Sequence, residues 1–243
     1  MTVDPGMQAA LAPASERERT AARCLPAVIP VPLGTTTAFI VRDRGVLLVD
    51  AGNPGDEAAI LAAMRRAGIR PDDLSLILIT HGHPGHYGSA DALRDQTGAP
   101  IAVHAADAGT VRRGVAGRLS PARIVPRLFG FVAGRVGGFE PDIAIEGGAD
   151  LGVFGIRGRV IPTPGHTPGS VSVLIAGGTV IVGDLLSALL PGGRPRLPFR
   201  TGDLAATRRS IRALLAHGPE RVYAAHGGPW SGMEVSRWFG NGW

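Results

Sequence analysis

The chain has 243 residues, 44% of them hydrophobic, 5% aromatic and 19% charged, with 36 Gly and 20 Pro. This length and apolar content can build one sizeable core and exclude a disordered chain, and the Gly and Pro follow no fibrous or solenoid repeat. The formal net charge is +5 and all 25 basic residues are Arg; with few aromatic platforms among them they read as GC-rich coding bias, and no nucleic-acid partner is expected.

Residues 1–27 read as a polar, Pro-bearing arm with mixed charges and no apolar run, so no secretory signal is expected and the protein is placed in the cytoplasm. No stretch reaches the ~18 apolar residues of a membrane span, and no stable membrane insertion is expected. Cys24 has no second cysteine to pair with and reads as an inert thiol.

Residues 28–243 read as one domain. A strand pair is predicted at 37–41 and 46–50, joined by the turn Arg42-Asp43-Arg44-Gly45. Asn53-Pro54 predicts a helix start, with Asn53 as N-cap, Asp56 and Glu57 in the first turn, Arg65 and Arg66 in the last, and Gly68 at the end. The apolar run 74–80 reads as a buried strand that ends on His81. A helix at 89–97 and a strand at 100–103 continue the β-α alternation.

The segment 108–139 holds six Arg (112, 113, 118, 123, 127 and 135), no acid, and the apolar residues Ile124, Val125, Leu128, Phe129, Phe131 and Val132. It reads as an inserted lid, a helix pair packed on the core, whose basic rim favours anionic substrates. A membrane-surface element is the alternative, weakened by Pro126, Gly130 and Gly134. Strands then resume from 151 to 161, at 170–175 and at 179–182, followed by a helix at 203–216 and a strand at 221–225 that ends on His226. Two such halves predict an α/β fold with two sheets packed face to face and covered by helices.

Five of the seven histidines close these strands or the turns beside them: His81, His83, His86, His166 and His226. Imidazole suits Zn²⁺ and related ions, and a catalytic site needs about three protein ligands and one open position. His81 and His83 can turn toward one ion, His166 is re-aimed by the preceding Pro164-Gly165, and Asp184 after Gly183 can bridge two ions through its two oxygens. His86 and His226 remain for a second ion. His104 and His217 read as ordinary core or surface residues.

With these residues, the sequence resembles the metallo-β-lactamase superfamily, in its glyoxalase II-like hydrolase branch. The resemblance rests on Asp50-Ala51-Gly52, the run from Thr80 through His81-Gly82-His83-Pro84-Gly85-His86 to Gly88, Thr163-Pro164-Gly165-His166-Thr167-Pro168-Gly169-Ser170, Gly183-Asp184 and His226-Gly227-Gly228-Pro229, in that order and spacing. It implies an αββα four-layer sandwich of two mixed sheets flanked by helices, with a di-metal pocket at one sheet edge. It also implies first-metal ligands at His81, His83 and His166, a bridging ligand at Asp184, second-metal ligands at His86 and His226, and Asp50 as the outer acid that orients them. The pattern departs at Gly85, where the family carries an aspartate that binds the second metal. Glycine supplies no oxygen, so the expectation is one firm Zn²⁺ and a weak or empty second site, with Fe²⁺ or Mn²⁺ also compatible.

A site of this kind predicts hydrolysis of an ester, thioester, lactone or amide of a small, anionic molecule by a metal-bound hydroxide, with Asp184 as the remaining acid near that water. The alternative is a mononuclear Fe(II) oxidoreductase resembling the persulfide dioxygenases, built on His81, His166 and Asp184. A third reading is a binder whose activity was lost through Gly85.

Overall fold

The computed structural model describes residues 25–118, 133–190 and 192–240. Strands β1 (Ala27–Pro32), β2 (Thr37–Arg42) and β3 (Val46–Val49) form an antiparallel meander; β4 (Leu74–Ile79), β5 (Ile101–His104) and, after a two-stranded excursion, β8 (Ile143–Ile145) extend it in parallel. The excursion is the antiparallel ribbon of β6 (Val115–Arg118) and β7 (Ala133–Val136). The second sheet comprises β9 (Ala149–Asp150), β10 (Gly158–Pro162), β11 (Val171–Ile175), β12 (Thr179–Ile181), β13 (Arg221–Tyr223) and β14 (Trp230–Ser231), ordered β14-β13-β12-β11-β10-β9 with only β12 and β13 parallel.

Period-two alternation sorts the apolar side chains into layers. Phe39, Val41, Leu47, Val49, Leu76 and Leu78 point inward and meet Val160, Val171, Val173 and Ile181 of the second sheet. Their neighbours Ile40, Leu48, Ile77 and Ile79 point outward, against Ile60 and Met64 of α1 (Glu57–Arg66). Leu93 belongs to the same layer; it lies on α3 (Ala90–Thr97), which follows the short α2 (Pro84–Tyr87) and precedes α4 (Ala105–Arg113). On the far side Val180, Val182 and Val222 pack against Ile211 and Leu214 of α5 (Leu204–Ala216) and Val235 of α6 (Gly232–Phe239). The result is the helix–sheet–sheet–helix order expected. Both faces of the central strands are buried, which is why 46–49 is an unbroken apolar run and 74–79 is interrupted only by the half-buried Ser75.

Three expectations shift. The helix predicted from Asn53-Pro54 begins only at Glu57, with Asp56 at its N-cap. Asn53 does not cap it: its backbone N–H donates to Asp56 Oδ2 at 2.8 Å and its side-chain amide to Thr35 Oγ1 at 3.2 Å, so 53–56 form a turn. The segment 108–139 is no helix pair where it is described, since α4 ends at Arg113, Gly114 turns the chain at φ 59°, and β6 and β7 follow; the apolar cluster 124–132 lies outside the described residues. Within that basic segment, Arg112 is paired with Glu140 at 2.5 Å. Finally, β1 starts at Ala27, the last residue of the expected arm; residues 1–24 lie outside the described ones. No helix among the described residues is long and apolar enough to cross a membrane.

Candidate metal centre

The two sheets deliver their side chains to one end. β3 hands over to Asp50, β4 to Thr80 and His81, β12 to Gly183 and Asp184, and β13 to His226; His166 stands in the loop between β10 and β11. His83 is the N-cap of α2 and His86 lies within it, because Pro84 fixes the first helical φ. Gly183 needs its missing side chain twice over. Its φ is 52°, and a Cβ there would come 2.6 Å from Thr80 Oγ1, the point where the two sheets meet.

Hydrogen bonds determine which ring nitrogens face the pocket. Asp50 Oδ1 accepts from Thr80 N at 2.8 Å; its Oδ2 accepts from Thr80 Oγ1 at 2.9 Å and lies 2.8 Å from His86 Nδ1. A carboxylate only accepts, so His86 Nδ1 carries a hydrogen. The one hydroxyl proton of Thr80 is spent on Asp50, so the 3.1 Å contact with His81 Nδ1 makes that nitrogen a donor too. His166 Nδ1 donates to the Arg200 carbonyl at 2.6 Å. His81, His86 and His166 therefore present Nε2. His83 presents Nδ1, 2.9 Å from His166 Nε2, comparable with the roughly 3.3 Å between two nitrogens each about 2.0–2.1 Å from a tetrahedral ion. Asp50 itself sits in the left-handed region at φ 62°, a strained conformation of the kind that collects at functional sites.

Asp184 divides the histidines between its oxygens. Oδ2 lies 3.4 Å from His166 Nε2 and 3.9 Å from His81 Nε2, whereas Oδ1 lies 3.6 Å from His86 Nε2 and 3.4 Å from His226 Nε2. Ligand atoms of His81, His83 and His166 all fall within 4.8 Å of one another, as do those of His81, His86 and Asp184. Among the described residues, His81 Nε2 and Asp184 Oδ1 are buried with no hydrogen bond of good geometry. Leaving such atoms without partners costs about 1–3 kcal/mol each, and a cation between them satisfies both. The donor set, imidazoles converging on a carboxylate, fits a divalent metal; His81, His83, His166 and Asp184 could hold one.

The two halves differ electrostatically. Burial, aided by the neighbouring rings, pushes His81 well below the usual imidazole range and lowers His83 and His166, so these three are neutral and ready to ligate at neutral pH. Burial also disfavours charge on His86, but Asp50 and Asp184 outweigh it and push the ring up to about 9. Contact with Asp184 raises His226. Asp184, despite burial, is held below the usual carboxylate range, chiefly by His86 and His226. Gly85 lies in α2 beside this second half. Among the described residues a Cβ there would meet only Asn53 Oδ1, at 3.7 Å, an ordinary contact, and Gly85 itself brings no carboxylate.

Asp107, in the first turn of α4, was not singled out by its sequence context. It is buried, and its Oδ2 accepts from Gly82 N at 2.7 Å and Thr167 Oγ1 at 2.6 Å, while Oδ1 accepts from Gly169 N at 2.9 Å. One carboxylate thus clamps the His81–His83 loop of the first sheet to the His166 loop of the second. His104 and His217 stay apart from the centre, as expected. His104 Nδ1 accepts from Ala106 N at the start of α4, and His217 ends α5 with its Nδ1 3.3 Å from Arg159 Nη2.

The chain is similar to several known proteins. A hydroxyacylglutathione hydrolase of Anaeromyxobacter dehalogenans is 33% identical over 151 residues, covering 60% of this chain and 47% of that protein. The chain therefore spans about half the length of that relative. A probable metallo-hydrolase of Bacillus subtilis, YqgX, is 27% identical over 209 residues, 81% of this chain and 86% of its own. Among solved structures, a metallo-beta-lactamase family protein of Thermus thermophilus superposes with a TM-score of 0.65 at 24% identity, over 88% of this chain and 78% of that one. Residues 30–226, from β1 to His226, match the metallo-beta-lactamase superfamily, and the chain belongs to that superfamily.

Proposed function

We propose that the chain is a hydrolase whose metal is held by His81, His83, His166 and Asp184 and which cleaves an ester, thioester, lactone or amide of a small, anionic substrate. The observation that carries this reading is the carboxylate of Asp184, with one oxygen turned to His81 and His166 and the other to His86 and His226. The hydrolase names of the relatives support it, and one of those names specifies a hydroxyacylglutathione. Zn²⁺ suits the imidazoles, and the same set accepts Fe²⁺ or Mn²⁺. When bound, the ion polarises the scissile carbonyl and brings the pKa of a water to ~7.

The chain's own residues do the rest. Asp50 is a positioning residue that aims His86 directly and His81 through Thr80. Asp184 stays ionised, and its Oδ1 is the acceptor available to orient an attacking water, since Gly85 brings no carboxylate. His86 and His226 make a second, weaker half-site that lacks one acid.

The test combines metal content with turnover. Protein purified without chelators is expected to carry close to one Zn²⁺ per chain and to hydrolyse members of a thioester, ester and lactone panel without O₂. Asp184→Asn is expected to lower turnover at least about a hundredfold. Unchanged turnover in that variant refutes the role of Asp184. Iron-loaded protein that consumes O₂ with a persulfide overturns the hydrolase reading in favour of an oxygenase.

A further inference from the structure

The segment that leaves Asp184 passes His226 again before it reaches α5. Ala188 N donates to His226 O at 2.7 Å, and Ser187 pairs with both His226 and Arg196. Farther on, the Trp230 indole donates to Gly193 O at 2.7 Å, which fastens the segment to β14. Residues of this segment and of α6 line a cavity of about 700 Å³, within the range of small-molecule pockets. Its lining is Leu189, Leu190, Leu197, Trp238 and Phe239, with Arg194 and Arg196.

The cavity lies at the metal-centre end of the fold. Gly232, which opens α6, bonds to Glu220 just ahead of β13, so α6 starts at the far end of that strand. Its last turn, with Trp238 and Phe239, then returns toward the end where β13 delivers His226. Leu189 follows the residue bonded to His226.

Its surface is unusual in both apolarity and charge. Leu189 is 77% exposed, Leu190 68% and Trp238 43%, a grouping of bare apolar side chains that marks a binding surface more often than an ordinary one. Arg194 stacks over Trp238 at 5.1 Å. Among the described residues neither Arg194 nor Arg196 has an acidic partner. An apolar trough beside two guanidiniums without an acidic partner among the described residues is complementary to one kind of molecule, an aliphatic chain that carries an anion.

We propose that this trough binds the non-reacting part of the substrate, a medium-length aliphatic chain bearing a carboxylate or phosphate, with the chain over Leu190 and Trp238 and the anion on Arg194 and Arg196. The substrate class is then an ester or thioester of an amphipathic anion. This assignment rests on the hydrolase reading for its catalytic consequence but not for the binding itself.

Calorimetric titration of the full chain with sodium decanoate tests the binding. Affinity is expected to tighten up to about fourfold per added methylene from hexanoate to decanoate and to weaken several-fold in Arg194→Gln/Arg196→Gln and in Trp238→Ala/Leu190→Ser. It is also expected to persist in Asp184→Asn, which separates the trough from carboxylate capture at the metal centre. Inorganic phosphate and decanol, each offering one half of the chemistry, are expected to bind at least tenfold more weakly than decanoate. No decanoate binding, or binding unchanged in both double variants, overturns the proposal. The hydrolase reading fails separately, if decanoate binds as described and no ester or thioester of the panel is cleaved.

Discussion

In the proposed reading, Gly85 sets the balance between the two halves of the candidate metal centre. The position has helical backbone, and among the described residues an added Cβ would meet only Asn53 Oδ1, at an ordinary 3.7 Å, so the start of an acidic side chain is accommodated there. Gly85→Asp is therefore expected to raise the tightly bound metal from about one toward two ions per chain, read by native mass spectrometry; unchanged stoichiometry shows that the second half fails for a reason other than its missing acid. Asp107 acts differently, since its hydrogen bonds go to the loops that carry the candidate ligands. Asp107→Asn keeps the shape but leaves one of three donors without an acceptor, at a cost of about 1–3 kcal/mol. Because that strain falls between two ligand loops, metal affinity is expected to drop 10–100-fold, more than the change in melting temperature alone predicts. A competition titration against a chromophoric chelator measures it, and wild-type affinity in the variant removes Asp107 from the site.

At the scale of elements, the two sheets are pinned at a second place by a tight ion pair. Asp43, in the β2–β3 turn, accepts from Arg157 N at 2.8 Å and from the Arg157 guanidinium at 2.7–3.2 Å, just ahead of β10. Burial opposes charge on Asp43, but the hydrogen bonds and charge of Arg157 outweigh it and lower the carboxyl below its ordinary 3.8. A carboxyl lowered in the folded state stabilises the fold fully above 3.8 and loses that contribution as pH falls through its folded value. Asp43→Asn is expected to cost about 2 kcal/mol between pH 5 and 8, discounted for the partial exposure of Arg157. The gap from wild type should close below pH 4 in urea melts; a gap independent of pH refutes the ionic origin. Nothing in the turn Arg42-Asp43-Arg44-Gly45 points to a partner 114 residues away. Other elements were legible, because β4 and β12 are mostly apolar runs that stop just before the candidate ligands. β1 was hidden by Pro30 and Pro32, which an edge strand tolerates because it pairs on one side only. α6 was overlooked although Ser231 and Glu234 form a capping box, a signal readable three residues apart. The candidate ligands were readable for a local reason: each closes a strand, sits in a loop beside one or, for His83 and His86, lies at or in the short helix that follows β4. Asp107 was not, because its three partners lie 25 to 62 residues away.

For the whole molecule, the centre sits on the seam between its two layers. Asp50, His81, His83 and His86 belong to the first sheet and the loops that follow it, and His166, Asp184 and His226 to the second. An ion held by His81, His83, His166 and Asp184 joins the two sheets directly and binds only the folded chain. Occupancy at a thousand times its dissociation constant adds about 4 kcal/mol to stability, and each kcal/mol shifts the melting temperature of a domain this size by about 2–4 °C. Exhaustive chelation is therefore expected to lower the melting temperature by about 10 °C in scanning calorimetry. If the ion merely decorated one loop, the loss would fall on a partial, low-temperature transition while the main one stayed in place. The sheets share the core of Phe39, Leu47 and Leu78 against Val160, Val171 and Val173 beneath the centre, so one cooperative transition should move as a unit. Readdition of Zn²⁺ should restore it, and a main transition indifferent to chelation would mean that no ion bridges the seam.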